Sequence, residues 1–159
     1  IAEEFKNRGK KIRILCPGNC GGEYDEKVKQ SIVEKGVDDH MKLLGVRKDI
    51  DVLMRKSGAF LLPSLYEGMP LVLIEAQASG LPCVVADTFS REVDFGIGTV
   101  QWMKLESSPA EWADAIENAV LQGRADKTSV MRAINTYGFD SKVFAKKLCQ
   151  MYEESISND

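Results

Sequence analysis

Two carboxylates, Glu67 and Glu75, are the residues most capable of chemistry in the segment running from Pro63 to Pro82. The segment reads as the end of an apolar strand, a turn holding Gly68 and Pro70, and then a helix that is apolar nearly all round. Such a helix belongs in an interior, which makes Glu75 an expected interior charge. A charge there is costly unless it is paired. An ionised carboxylate only accepts hydrogen bonds, so the vicinal diol of a ribose is a matching partner, and Glu67 on the turn can accept from sugar hydroxyls in the same way. The other available partner is one of the chain's 21 lysines and arginines, which would make Glu75 half of a structural ion pair. Pro70 is expected at the first helical position, leaving the amides near Gly68, Met69 and Leu71 free at the helix start. Free amides at the positive end of a helix favour an anion, phosphate above all. Gly68 has no side chain to block close approach. The plainer alternative is an ordinary proline-started helix.

The elements that must hold this segment follow from periodicity. Residues 1 to 9 read as a helix tail stopped by Gly9, and Lys11 to Cys16 as a strand closed by the Pro17-Gly18-Asn19 loop. Glu23 to Lys35 is expected to be helical, with Val28, Ile32 and Val33 as its apolar stripe and Gly36 as its end. His40 to Leu44 is a second strand, Asp49 to Lys56 a short helix, and Ala59 to Leu62 a third strand, apolar throughout. Pro82 to Ala86 is another continuous apolar strand, of the kind buried on both faces. Thr99 to Leu105 alternates more and is expected at the sheet edge. Ser108-Pro109-Ala110-Glu111 spells a capping box with proline at N1. Further helices are expected over Lys127 to Asn135 and from about Asp140, the last with Phe144, Leu148, Met151 and Tyr152 on one face. Alternating strands and helices predict an α/β domain, a Rossmann-like parallel sheet with helices on both faces followed by C-terminal helices. Ligands bind such sheets at the carboxyl ends of the strands, where the Pro63–Pro82 junction lies.

Bulk properties narrow the classes. The chain has 159 residues, 44% hydrophobic and 28% charged, with a net charge of −3. That balance is ordinary for one globular domain and argues against a nucleic-acid partner. No apolar run approaches the roughly 18 residues of a membrane span. Cys16, Cys20, Cys83 and Cys149 are read as reduced thiols, which points to the cytoplasm. With a single histidine, His40, remote from Cys16 and Cys20, no metal site is expected. Ile1 to Phe5 reads as the middle of a helix, so the chain is expected to be part of a longer protein.

The run from Ser64 to Pro82, with Glu67 and Glu75 separated by seven residues, resembles the signature of the group 1 retaining glycosyltransferases of GT-B fold. The resemblance extends through Leu43 to Ile50 before it and through Cys83–Asp87, Glu92 and Val93 after it. It implies that residues 1–159 are the C-terminal, nucleotide-sugar-binding half of a two-domain enzyme, with no cofactor beyond the donor itself. The implied donor is a UDP-sugar and the implied acceptor a glycan or lipid-linked molecule. By the same resemblance Glu75 would bind the ribose hydroxyls, and Glu67, the implied catalytic residue, the donor sugar. Gly68, Met69, Leu71 and the neighbours of Pro70 would face the sugar and diphosphate. Val46 and Arg47 would flank the nucleobase, with the Gly18 loop nearby.

The family's diphosphate-gripping Arg and Lys, its acceptor site and the first strand of this half would all precede Ile1. The missing N-terminal domain is therefore an implied partner, peripheral membrane association is open to the full enzyme, and the present chain is expected to be inactive alone. A non-catalytic nucleotide-binding or interaction domain on the same layer is the alternative, since fold alone does not exclude it.

Overall fold

Strand β4, Cys83–Ala86, is buried at every residue, and the rest of the chain is arranged to cover its two faces. Successive strand residues point to opposite faces. Cys83 and Val85 accordingly join one apolar cluster with Met54, Leu73, Ile74, Ala76 and Ala133, while Val84 and Ala86 join another with Phe5, Trp112 and Ile116. The computed structural model describes residues 1–18 and 21–157, so Asn19 and Cys20 of the first loop lie outside the described residues.

The order is α1 (Ala2–Asn7), β1 (Ile14–Pro17), α2 (Gly22–Lys35), β2 (Met41–Gly45), α3 (Ile50–Lys56), β3 (Phe60–Leu62), α4 (Leu71–Ala78) and β4. A 3-10 turn at Arg91–Val93 follows, then β5 (Val100–Met103), α5 (Pro109–Gln122), α6 (Lys127–Tyr137) and α7 (Ser141–Ser157). Each strand lies within two or three residues of its expected place. Every pairing is parallel, with Ile14 opposite Met41, Phe60 opposite Cys83, and Cys83 opposite Val100. The strands form two sheets, β1–β2 and β3–β4–β5, rather than one continuous layer. As expected, β5 lies at an edge. Helices α3, α4 and α6 cover one face of β4, and α1 and α5 cover the other. The α/β class with helices on both faces is therefore present.

Local signals placed several helix ends. Gly36 ends α2 in the left-handed conformation, which costs glycine least. Ser108 and Glu111 form the reciprocal capping box that starts α5. Two apolar stripes behave differently from expectation. Val28 and Ile32 of α2 are half-buried, but Val33 is 74% exposed, because it stands about 100° round the helix from Ile32. In α7 the expected face of Phe144, Leu148, Met151 and Tyr152 forms but is exposed. Periodicity is written locally, whereas the surface that would cover it is not.

The one polar side chain buried within α4 is Gln77, fully enclosed. Its Nε2 donates to the Val93 carbonyl at 2.7 Å and the Leu73 carbonyl at 3.3 Å, and its Oε1 accepts from the Phe95 amide at 2.8 Å. The side chain thus ties α4 to the segment leading into β5. Replacing it by leucine would strand the Val93 carbonyl and the Phe95 amide, each at a cost of about 1–3 kcal/mol. Gln77→Leu should lower unfolding free energy by about 2–4 kcal/mol in a urea titration; a loss below about 0.5 kcal/mol would show that the enclosed amide is dispensable.

A second test concerns acid. The Ser108 hydroxyl, and then its amide, hold the Glu111 carboxyl below its ordinary value, and Ser129 does the same to Asp126. For a lowered folded-state value the stabilisation is complete above the unfolded value, ~4.3 for Glu. It is lost as pH falls through the lower folded value. The thermal midpoint should therefore drop as pH is taken below about 4, and Glu111→Gln should make that drop shallower.

Candidate functional site

Where β3 ends at Leu62 the chain turns outward through Pro63 to Pro70 before α4 begins. Pro70 is the N-cap rather than the first helical residue, because its ψ of 86° is outside the helical range and the helix starts at Leu71. Its carbonyl accepts from the amides of Leu73 and Ile74, at 2.9 and 3.4 Å. No side chain caps α4, so its N-terminal amides retain the anion-favouring character expected of them. Gly68, Met69 and Leu71 are exposed beside them, and Pro70 is buried beneath.

Glu67 is half-buried on this turn, and its Oε1 accepts a hydrogen bond from the Ser64 hydroxyl at 2.7 Å. Ser64 is held in turn by Thr88, just beyond β4, whose hydroxyl donates to the Ser64 carbonyl at 2.7 Å. Glu67 thus has one carboxylate oxygen oriented from within the protein. The surrounding rim is apolar and open, with Leu65, Tyr66, Met69 and Leu71 all exposed.

Glu75 is not an interior charge. Although α4 is apolar nearly all round, only Leu73, Ile74, Ala76 and Gln77 are buried. Leu71, Glu75 and Ala78, spaced four and three apart, form the stripe that faces solvent. The desolvation argument therefore belongs to Gln77, which the protein itself satisfies. The structural ion pair is also not found: among the described residues no cation lies within salt-bridge distance of Glu75. Instead Glu75 lines a groove of about 640 Å³ with Lys48, Ile50, Asp51, Met54 and Arg55 from the α3 side and Ala78 and Ser79 from α4. Glu67 and Gly68 are not part of that lining.

The remaining expected residues collect at the carboxyl ends of β1 and β2. The Gly18 amide donates to the Gly45 carbonyl at 2.8 Å, which brings the first loop against the turn holding Val46 and Arg47. Gly18 has φ +127°, a conformation open chiefly to glycine. Val46 is 75% exposed. The Arg47 guanidinium is engaged by Asp49 through two bonds of 2.8 and 2.7 Å, which holds the Asp49 carboxyl below its usual range. The turn therefore presents the apolar Val46 side chain beside an Arg47 guanidinium that is exposed but already paired with Asp49. Lys48 continues from this turn directly into the groove with Glu75. His40 sits apart, at the start of β2, with Nδ1 3.0 Å from the Ile12 carbonyl.

Sequence reasoning missed Ser64, Thr88, Lys48 and Gln77. Gln77 had a visible signal, an amide amid Ile74, Ala76 and Ala78. Ser64, three residues before Glu67, had a weaker one. Lys48 had its place in the Leu43–Ile50 stretch beside Arg47, and Thr88 had none, since it acts across the fold.

Comparisons with known proteins place the whole chain in a family. The family model described as glycosyl transferases group 1 matches residues 2–136. The Bacillus subtilis protein EpsF, which carries a glycosyltransferase name, is 34% identical over all of this chain and 41% of its own length. The Escherichia coli UDP-Gal:alpha-D-GlcNAc-diphosphoundecaprenol alpha-1,3-galactosyltransferase is 56% identical over 45 residues, 28% of this chain and 12% of its own. Among solved structures, Anabaena HepE in complex with UDP superposes with a TM-score of 0.65 at 25% identity, covering 93% of this chain and 41% of that one. The lipopolysaccharide outer core galactosyltransferase WaaB shares the fold, with a TM-score of 0.64 at 17% identity over 96% of this chain and 44% of its own. The chain thus spans about two fifths of the length of EpsF, HepE and WaaB, and its fold is that of one half of a GT-B glycosyltransferase. With the family model covering residues 2–136, this protein belongs to the group 1 glycosyltransferases.

Proposed function

We propose that this chain is the donor-binding half of a retaining glycosyltransferase that takes a sugar from UDP and passes it to a glycan or lipid-linked acceptor. The observation that carries the reading is the pairing of an uncapped α4 N-terminus with two carboxylates of different exposure, Glu67 on the turn and Glu75 in the α3/α4 groove. In this reading Glu75 accepts from the ribose hydroxyls, and the apolar Val46 and the backbone of Arg47 flank the base. The amides after Gly68 face the diphosphate, where negative charge grows as the sugar leaves, and preorganised donors there lower the barrier. Glu67, steadied by Ser64, accepts from hydroxyls of the transferred sugar. The UDP held by HepE supports the choice of nucleotide.

A second, preceding unit is part of the proposal. It would supply the acceptor site, the basic pair on the diphosphate and one more parallel strand. The two separate sheets support that last point. Among the described residues β1 pairs only with β2 and β3 only with β4, so each has one edge without a ladder partner. A right-handed crossover through α1 would set a preceding strand beside β1.

Titration of this chain with UDP, GDP and ADP, followed by amide chemical shifts, tests the reading. UDP should move Val46–Ile50 and Gly68–Glu75 together, and saturable shifts confined to other regions, or none at millimolar nucleotide, would sink it. Glu75→Gln should weaken UDP about tenfold or more, as expected for loss of a hydrogen bond to a charged group. Because Glu75 is exposed, its stability should stay within about 0.5 kcal/mol. Ser64→Ala and Thr88→Val address Glu67 in the full-length enzyme. Both should lower kcat with little change in the Kd for UDP, the serine change more than the threonine one.

A further inference from the structure

The two helices that wall the Glu75 groove are joined at their far ends by a residue outside the family signature. Arg124, in the connection between α5 and α6, donates from Nη1 to the Ser79 carbonyl at 2.8 Å. Its Nη2 donates to the Ser57 carbonyl at 2.8 Å and to the Met54 carbonyl. One planar guanidinium thus satisfies carbonyls at the C-terminal ends of both α3 and α4, where a cation also complements the two helix dipoles. Met54 and Ser79 are themselves part of the groove lining.

The surrounding chain is shaped to let this connection in. The Ala125 amide donates to the Gly80 carbonyl at 3.0 Å. A Cβ at Gly80 would lie 2.9 Å from the Ala125 carbonyl oxygen, and one at Gly58 would lie 3.3 Å from Val120. Both glycines sit just past the ends of the helices that Arg124 bridges, so the end of α5 and its connection press closely into that junction. Moving α3 relative to α4 would require breaking the fork.

We propose that Arg124 is a positioning residue for the donor site: by holding the ends of α3 and α4 together it sets the width of the groove, and so the spacing between Glu75 and the Lys48–Ile50 segment. This rests on the reading that the groove holds the nucleoside. Lysine keeps the charge but lacks the fork, and reaches fewer of the three carbonyls at once.

Arg124→Ala and Arg124→Lys are compared with the parent for amide shifts without ligand, for thermal midpoint and for UDP affinity. Arg124→Ala should shift the amides of Lys48–Asp51 and Glu75 and raise the Kd for UDP about tenfold. Arg124→Lys, which also serves if the alanine variant fails to fold, should show the same shifts at smaller amplitude and a loss of about threefold. A lowered midpoint with parent-like shifts at Lys48–Asp51 and Glu75 overturns the proposal, as do altered shifts with unchanged UDP affinity. Should the parent itself bind no UDP, the donor reading fails, and the ligand-free shifts alone decide whether Arg124 sets the groove.

Discussion

Complete enclosure of β4 is the constraint on which the rest depends. A strand buried on both faces requires helices on both sides, and a parallel sheet supplies them through its crossovers. In this chain the covering is done by α3, α4 and α6 on one face and by α1 and α5 on the other. Parallel strands also share one direction, so their carboxyl ends and the N-termini of the helices that follow gather on one side of the molecule. Gly18 follows β1, Val46 and Arg47 follow β2 and Glu67 follows β3, while Glu75 lies on α4, the helix that β3 leads into.

Within that frame the functional segment is divided between burial and exposure. Helix α4 gives Leu73, Ile74, Ala76 and Gln77 to the interior and leaves Leu71, Glu75 and Ala78 outside. The buried half is fastened by Gln77 to the backbone at Val93 and Phe95, and the C-terminal end by Arg124 to the end of α3. The exposed half keeps a carboxylate, Glu75, with no cation among the described residues within salt-bridge distance, on a helix whose start no side chain caps. Glu67 stands under a different rule, since one of its oxygens is already directed by Ser64, and Ser64 is itself braced by Thr88. The two signature glutamates are thus one oriented acceptor and one open acceptor.

Much of the fold was legible beforehand because its causes are local. Apolar runs of strand length, the capping box at Ser108 and Glu111, and Gly36 after α2 each act within a few residues, and each appears where expected. The family was legible too, from the Ser64–Pro82 run. The interior charge was a misreading with a clear cause. Composition says that α4 is apolar, but burial depends on how many neighbours surround it, and α4 has a side left open where α3 stands away.

By itself, then, the sequence determined the strands, the helices, their parallel α/β order and the junction between β3 and α4 that carries Glu67 and Glu75, because periodicity, capping and turn chemistry operate over short spans. Tertiary structure alone decided that Glu75 faces a groove while Gln77 is enclosed, that Thr88 braces Ser64, and that Arg124 joins the ends of α3 and α4. These depend on contacts between residues up to 70 positions apart, as with Arg124 and Met54, and no local pattern encodes which distant surfaces meet. The carboxylates of the Pro63–Pro82 segment were visible from the start; what surrounds each of them was settled only when the chain closed on itself.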